Sequence, residues 1–539
     1  MVTIFVIIAA VVCATLGLIR PRLHPYLIYL TGLALVLQTT LAGNALIGGD
    51  IHVEYWYASW YSGLDVWPPD VIYPQGTSIS NSYILPFLYS MGIPIDFSMK
   101  FIYPLLYSLL PVILYHIFKV WLNPTESFLS SFFFISVSPF FLEIPTIPRQ
   151  MLAMPLFALF LLISLKPMRH KIPSLIIIAI LTTSLHYTMG IILTIMLLTS
   201  LISTFTLRGI INKKQIIYTL ISLLLFETFF FGFSYNGAVF KKLASIVPSK
   251  ESIVKIGPVE AKVGSPTQIT SNGDVEKPRL EYFEPLVEAG LGLDFLKASG
   301  FGKIFRVLQF ATEVLMLGGL WVLMRRKNKE YFIWASGLLL LLLLAVTYNR
   351  TAIVVGPSRL YNLILILLAP ALVLGFKVLV KDVRFLLIIL IPYFLFTSGF
   401  VFEVAKQEDI SKINIPYSLY LSNDRIDLGT NIEVGDLEVR DYVKENGTVR
   451  VLADLYGTLF LSEILGVEDP IGSKISEFPE FGGLEGTTKP YYVFLRGKNV
   501  REGKIITWIG PGMRASRNVP EFKGRLIYKA GDSELWEVR

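Results

Sequence analysis

The sequence predicts an α-helical polytopic membrane protein, with about 12 transmembrane helices and a C-terminal extracytoplasmic α/β domain. Three observations carry this. Of 539 residues, 53% are hydrophobic and only 17% charged, against about 25% charged in soluble domains; the mean hydropathy is +0.59. Several apolar runs approach or exceed the roughly 18 residues of a spanning helix. The composition then changes near residue 402. Residues 402–539 hold 18 Lys/Arg and 22 Asp/Glu, a net of −4, so the preceding part carries +11 of an overall +7. A basic excess lodged among apolar runs has a membrane explanation before a nucleic-acid one. The one cysteine, Cys13, excludes an intramolecular disulfide and leaves the redox compartment unread.

The spans lie near 2–19, 24–42, 101–121, 126–144, 150–166, 172–185, 188–206, 215–234, 303–324, 331–347, 360–379 and 385–401. The first lacks a basic flank before it and a small-residue cleavage site after it, and is read as retained. Residues 83–95 carry Pro86 and Pro94 and are too short to span, so they form a re-entrant or interfacial segment. Basic residues then orient the chain, because cytoplasmic loops are enriched in Lys and Arg. They occur as Arg20 and Arg22; Lys119; Lys166, Arg169 and Lys171; Arg208, Lys213 and Lys214; Arg325, Arg326 and Lys327; and Lys377, Lys381 and Arg384. All six groups fall on one side of a twelve-span chain. Both termini, the wide loops 43–100 and 235–302 and the tail are then extracytoplasmic, in a multi-pass protein of the cell membrane. The domains are therefore 1–401 and 402–539.

Within the tail, DLEVRDYVKENG reads as a helix ending at Gly447, TVRVLAD as a strand, LYGTLFLSEILG as a helix and KPYYVFLRG as a strand. GRLIYKAGDSELWEV reads as a hairpin turning at Ala530-Gly531-Asp532.

The candidate chemistry gathers on the outer side. GGDIHVEYWYASW places Asp50, His52 and Glu54 in the first wide loop, beside a cluster of aromatics. Carboxylates near hydrocarbon are costly and mark functional sites. In a helix, Asp50 and Glu54 share a face and His52 points away; in an extended segment all three share a face. The extended form suits a divalent metal such as Mg, Mn or Ca. The plainer alternative is a hydrated loop with interfacial aromatics. Glu143 and Arg149 flank a proline-rich turn, His186 and Tyr187 form a short turn, and Arg350 and Arg359 bracket the loop before the eleventh span. Arginine on the outer face runs against the positive-inside bias, and its planar fork of donors matches phosphate. Snorkelling to the interface explains any one of these arginines; the set together with carboxylates suggests a shared site.

The layout resembles a GT-C class glycosyltransferase, with GGDIHVEYWYA similar to the acidic motif of the first outer loop in that class. PRQMLAMPLFAL, SLHYTMG and GPSRLYN resemble segments of an uncharacterised archaeal membrane-protein family of the class. The resemblance spans most of the chain at low specificity. It implies a donor sugar on polyprenyl (dolichyl) phosphate and an acceptor hydroxyl on a glycan, lipid or protein, with inversion at the anomeric carbon. It also implies Asp50 as the catalytic acidic residue, with Glu54 second and His52 beside them. The phosphate would meet Arg149, Arg359 or both. Membrane lipids are expected partners and nucleic acid is not. The Trp-Trp-Asp-Tyr-Gly motif of oligosaccharyltransferases and the Asp-Glu pair of protein O-mannosyltransferases are both missing from the sequence. Sequon glycosylation is thereby disfavoured, and the acceptor class does not carry over. The rival is a transporter or flippase of lipid-linked glycans, which calls for polar groups at mid-membrane; the spans are largely apolar in their middles, and exceptions such as His116 and Glu227 lie toward the cytoplasmic side or within one isolated helix.

Overall fold

A computed structural model describes residues 2–43, 45–63, 76, 78–206, 213–233, 279–282, 295, 300–325, 329–347, 357–405, 432–446, 450–465, 475–477, 491–510 and 513–538. Two compact units emerge. The first comprises Met1–Ala42, Ala58–Gly237 and Glu284–Ile426; the second comprises Gly43–Tyr57, Ala238–Phe283 and Asp427–Arg539. The acidic segment of the first wide loop thus belongs to the same unit as the C-terminal residues.

The first unit is helical throughout its described residues. It begins with α1 (Val2–Ile19) and α2 (His24–Thr40). Among the described residues six helices are long and apolar enough to cross a membrane: Ile95–Phe118, Pro148–Leu165, Tyr187–Thr206, Lys213–Gly232, Phe301–Arg325 and Arg359–Leu379. Counting one bent pair as a span makes up to seven. This is a helical membrane protein by the length and composition of these helices.

The bent pair differs from expectation. Residues 126–144 read as one continuous span, but the helix Pro124–Ile135 breaks and resumes at Pro139–Thr146 with a bend of 56°. Its start is well made: Asn123 accepts from the Glu126 N–H at 3.0 Å, and Glu126 accepts from the Asn123 N–H at 3.1 Å, a capping box. Its end follows from Pro139, which has no N–H to continue the ladder and crowds the carbonyl four residues back. The chain winds on as a wide π turn over Pro139–Glu143 and a tight turn over Ile144–Thr146. Glu143 is delivered at that irregularity.

The helices Phe301–Arg325 and Pro357–Leu379 cross through glycine. A Cβ added to Gly319 would lie 1.7 Å from the Ala371 carbonyl oxygen, and one on Gly375 would lie 1.8 Å from that of Leu315. Small residues let helix backbones approach where apolar burial supplies no drive between helices.

The second unit contains α3 (Asp50–Ser62) as far as Tyr57, together with α4 (Val434–Glu445), α5 (Leu455–Leu465) and α6 (Gly497–Glu502). Among the described residues eight strands accompany them: β1 (Arg279–Tyr282), β2 (Val451–Ala453), β3 (Ile475–Glu477), β4 (Tyr491–Leu495), β5 (Lys504–Gly510), β6 (Met513–Asn518), β7 (Arg525–Ala530) and β8 (Ser533–Val538). One sheet runs β3-β2-β4-β8-β7, with β2 parallel to β3 and β4 and the remaining pairs antiparallel. A second, β1-β6-β5, is antiparallel. Because strand side chains alternate, Val451 and Ala453 face a core with Val439, Val443, Phe460, Phe494 and Leu535. Leu452 joins Tyr491, Val493 and Leu495 on the other face. Ala45 packs against the first of these cores. The β7–β8 hairpin turns at Gly531, whose φ of 58° suits glycine.

Candidate functional site

The opening residues of α3 settle which geometry the acidic segment takes. Helical spacing puts Asp50 and Glu54 on one face and turns His52 about 200° away. Asp50 is the first helical residue, partly exposed, at the positive end of the helix. Glu54 is fully buried.

On the opposite face His52, also buried, brings its Nδ1 to 2.5 Å from Glu463 Oε1. An ionised carboxylate only accepts, so Nδ1 carries the hydrogen. The other oxygen of Glu463 accepts from Arg440 Nη1 at 2.9 Å. Phe460 packs between them, 5.9 Å edge-on from His52 and 5.3 Å under the Arg440 guanidinium. A histidine, a carboxylate and an arginine thus tie α3 to α5 and α4. Glu463 and Arg440 were not singled out by sequence. Their pairing spans 411 residues from His52 to Glu463, and neither position carries a local motif.

The helix also bears on the metal. The extended geometry that would gather Asp50, His52 and Glu54 is not adopted, and His52 is already engaged by Glu463. Among the described residues no group of three or more His, Cys, Asp or Glu side chains is placed to hold a metal ion.

In the second unit's interior a further network is fully satisfied. Arg496 and Asp454 are both completely buried and bond twice, Nε to Oδ1 at 3.0 Å and Nη2 to Oδ2 at 2.7 Å. Asn499 donates to Asp454 at 3.0 Å, and the Gly457 N–H does so at 2.8 Å. Asp436 accepts from the Gly497 N–H at 3.0 Å and from Ser533 at 2.6 Å. Burial pushes the Asp436 carboxyl up from its ordinary value, while the Ser533 and backbone hydrogen bonds pull it down by less.

The first unit holds the other expected residues. Glu143 accepts from Arg359 Nε at 3.1 Å. Arg149, second residue of the helix Pro148–Leu165, is buried. His186 is the single residue between the helices Lys171–Leu185 and Tyr187–Thr206, buried and stacked on Tyr187 with ring centroids 5.7 Å apart. Arg350 lies outside the described residues. Of the expected set, Glu143 and Arg359 are brought together directly.

Two further groups of buried polar side chains stand in the first unit. Tyr107 and Asn362 are completely buried, and Asn362 lies beside the Tyr107 hydroxyl, with the Glu143 charge in reach. Arg306, Gln309 and Glu313 line one face of the helix Phe301–Arg325, the first two fully buried. Their spacing of three and four residues is a helical stripe, visible in the sequence but diluted by averaging hydropathy over the span.

No protein-family model matches the chain, and comparison with characterised proteins finds no significant match.

Proposed function

We propose that this protein is a membrane glycosyltransferase, moving a sugar from a polyprenyl phosphate donor to an acceptor hydroxyl on the outer face. The observation that carries the reading is α3. Its acidic face is held from behind by the His52–Glu463–Arg440 chain, so the Asp50 carboxylate stands on a fixed helix. Pre-organised groups of this kind are what general acid–base catalysis needs.

The proposed topology has twelve crossings. These are the seven segments already described, the shorter apolar helices Thr3–Ile19, Lys171–Leu185, Tyr331–Leu344 and Val383–Thr397, and His24–Thr40. Basic loops on one side then leave the second unit and both termini outside.

In the reaction, Asp50 takes the proton of the acceptor hydroxyl as its oxygen attacks the anomeric carbon. The bond from that carbon to the phosphate oxygen breaks on the opposite side, so configuration inverts through an oxocarbenium-like state. The electron pair leaves with the lipid phosphate, whose growing charge an arginine fork would stabilise. Glu54, one turn beyond Asp50, shapes the acidic face. Arg149, Arg359 or both are the proposed ligands of the lipid phosphate. Purified protein in detergent, given polyprenyl-phosphate sugar and acceptor, tests this directly: transfer that disappears in Asp50→Asn supports it, and undiminished transfer overturns it.

One observation favours a second reading, transport of a lipid-linked glycan. The Arg306, Gln309 and Glu313 stripe lies within a long apolar helix, and polar groups at such depth mark substrate or ion paths. A transporter would show no transfer in detergent, yet would move a fluorescent lipid-phosphate glycan across proteoliposomes.

A further inference from the structure

We propose that Tyr107, Asn362 and Glu143 form a hydroxyl-binding site that takes the uncharged sugar ring of a lipid-linked substrate. Three chain segments meet there. Asn362 follows Arg359 by three residues on the helix Pro357–Leu379, so the two share a face. Tyr107 comes from the helix Ile95–Phe118, its ring held against Phe140 with centroids 5.0 Å apart. Glu143 comes from the π turn of the broken span.

Polar capacity is left over at this place. Glu143 Oε2 is buried without a hydrogen-bond partner among the described residues, and the Tyr107 hydroxyl and the Asn362 amide have at most each other. Native proteins keep few such groups, and a cluster of them calls for an occupant.

The chemistry selects the occupant. Sugar hydroxyls donate and accept at once. Asn362 offers both functions, Tyr107 offers both, and Glu143 Oε2 accepts. A phosphate brings only acceptors and negative charge, and would face the Glu143 carboxylate. A cation would face Arg359. The 3.1 Å Arg359–Glu143 pair cancels its own charge, so the site is neutral and suits a neutral polyol. That the polyol is the sugar of a lipid-phosphate substrate rests on the function proposed above.

Full-length protein in lipid nanodiscs tests this by equilibrium dialysis. The probes are the hexyl β-D-glycosides of glucose, mannose and galactose, with hexyl phosphate as the anionic control. Wild type should bind at least one glycoside. Asn362→Leu and Tyr107→Phe should each weaken it by roughly tenfold, the worth of one or two neutral hydrogen bonds, while hexyl phosphate binding holds. Tyr107→Phe keeps the ring packing and remains informative if Asn362→Leu fails to fold. Glu143→Gln should lose glycoside affinity and gain hexyl phosphate affinity, because the site loses one negative charge. Failure of wild type to bind any of the three glycosides overturns the site, as does unchanged binding in both variants; the cluster then holds only buried water. Asp50→Asn separates the two claims. If it retains full transfer while the glycoside results hold, the glycosyltransferase reading falls and the site stands. If it loses transfer while Asn362→Leu and Tyr107→Phe bind normally, the site falls and the reading stands.

Discussion

At Asp50 one atom exchange isolates the catalytic proposal. Asp50→Asn keeps the size of the side chain and removes the ionisable oxygen, so turnover should drop by roughly 10²–10⁴-fold, the usual worth of a general base. Donor affinity should persist, because Arg149 is untouched; a parallel rise in KM would mean that the substitution disturbs the helix instead. Asp454 and Arg496 make a different prediction. Asp454→Ala strands a completely buried guanidinium, which costs about 3–5 kcal/mol. Hydrogen exchange of β2 and β4 amides in the intact protein should accelerate accordingly, and exchange at the wild-type rate would discredit the pair's structural role. Asp436 adds a pH dependence. Its folded pKa is raised by burial, so between its unfolded value and its folded value the folded state holds the extra proton. Stability from this group is therefore full at acid pH and lost as pH rises through the folded pKa. Wild type should lose stability relative to Asp436→Asn as pH rises above the ordinary carboxylate range, read as faster exchange at β4; a pH-independent difference would remove Asp436 from the account.

Among the elements, the crossing of Phe301–Arg325 with Pro357–Leu379 is the least forgiving. A methyl group at Gly319 cannot fit 1.7 Å from a carbonyl oxygen, so the helices must separate. Gly319→Ala should lower the thermal midpoint by several degrees, as overpacking typically costs about 1–3 kcal/mol; an unchanged midpoint would show that the crossing yields freely. Legibility in the sequence follows the range of the forces involved. The β7–β8 hairpin was readable because Ala530-Gly531-Asp532 is a local turn signal. The helix and strand runs of α4, β2, α5 and β4 were readable from periodicity in short windows. The break at Pro139 was equally local, yet the flanking phenylalanines kept the window apolar and hid it. The pairing of Glu143 with Arg359 was foreshadowed only as two charges on one outer face. The chain His52–Glu463–Arg440 was not readable at all, because no short-range pattern records which distant helices will meet.

For the whole molecule, topology is the property everything else presumes. Lys523 is exposed on the second unit, whereas Lys498 is largely covered and 3.8 Å from Glu502. A cysteine at 523, in a chain lacking Cys13, should react with an impermeant thiol reagent in intact cells. Labelling only after lysis would place the unit inside and remove it from any outer-face chemistry.

The division of the second unit also has a consequence in time. His52 leaves the ribosome 411 residues before its partner Glu463. At about 5–20 residues per second the wait is roughly 20–80 s. Throughout that interval the Asp50 helix has neither α5 nor α4 to hold its far side, while one apolar helix after another is being threaded into the bilayer. The far side of the Asp50 helix is therefore secured late, once α4 and α5 have been made, and a nascent chain cannot hold Asp50 in its final setting before Glu463 has been added.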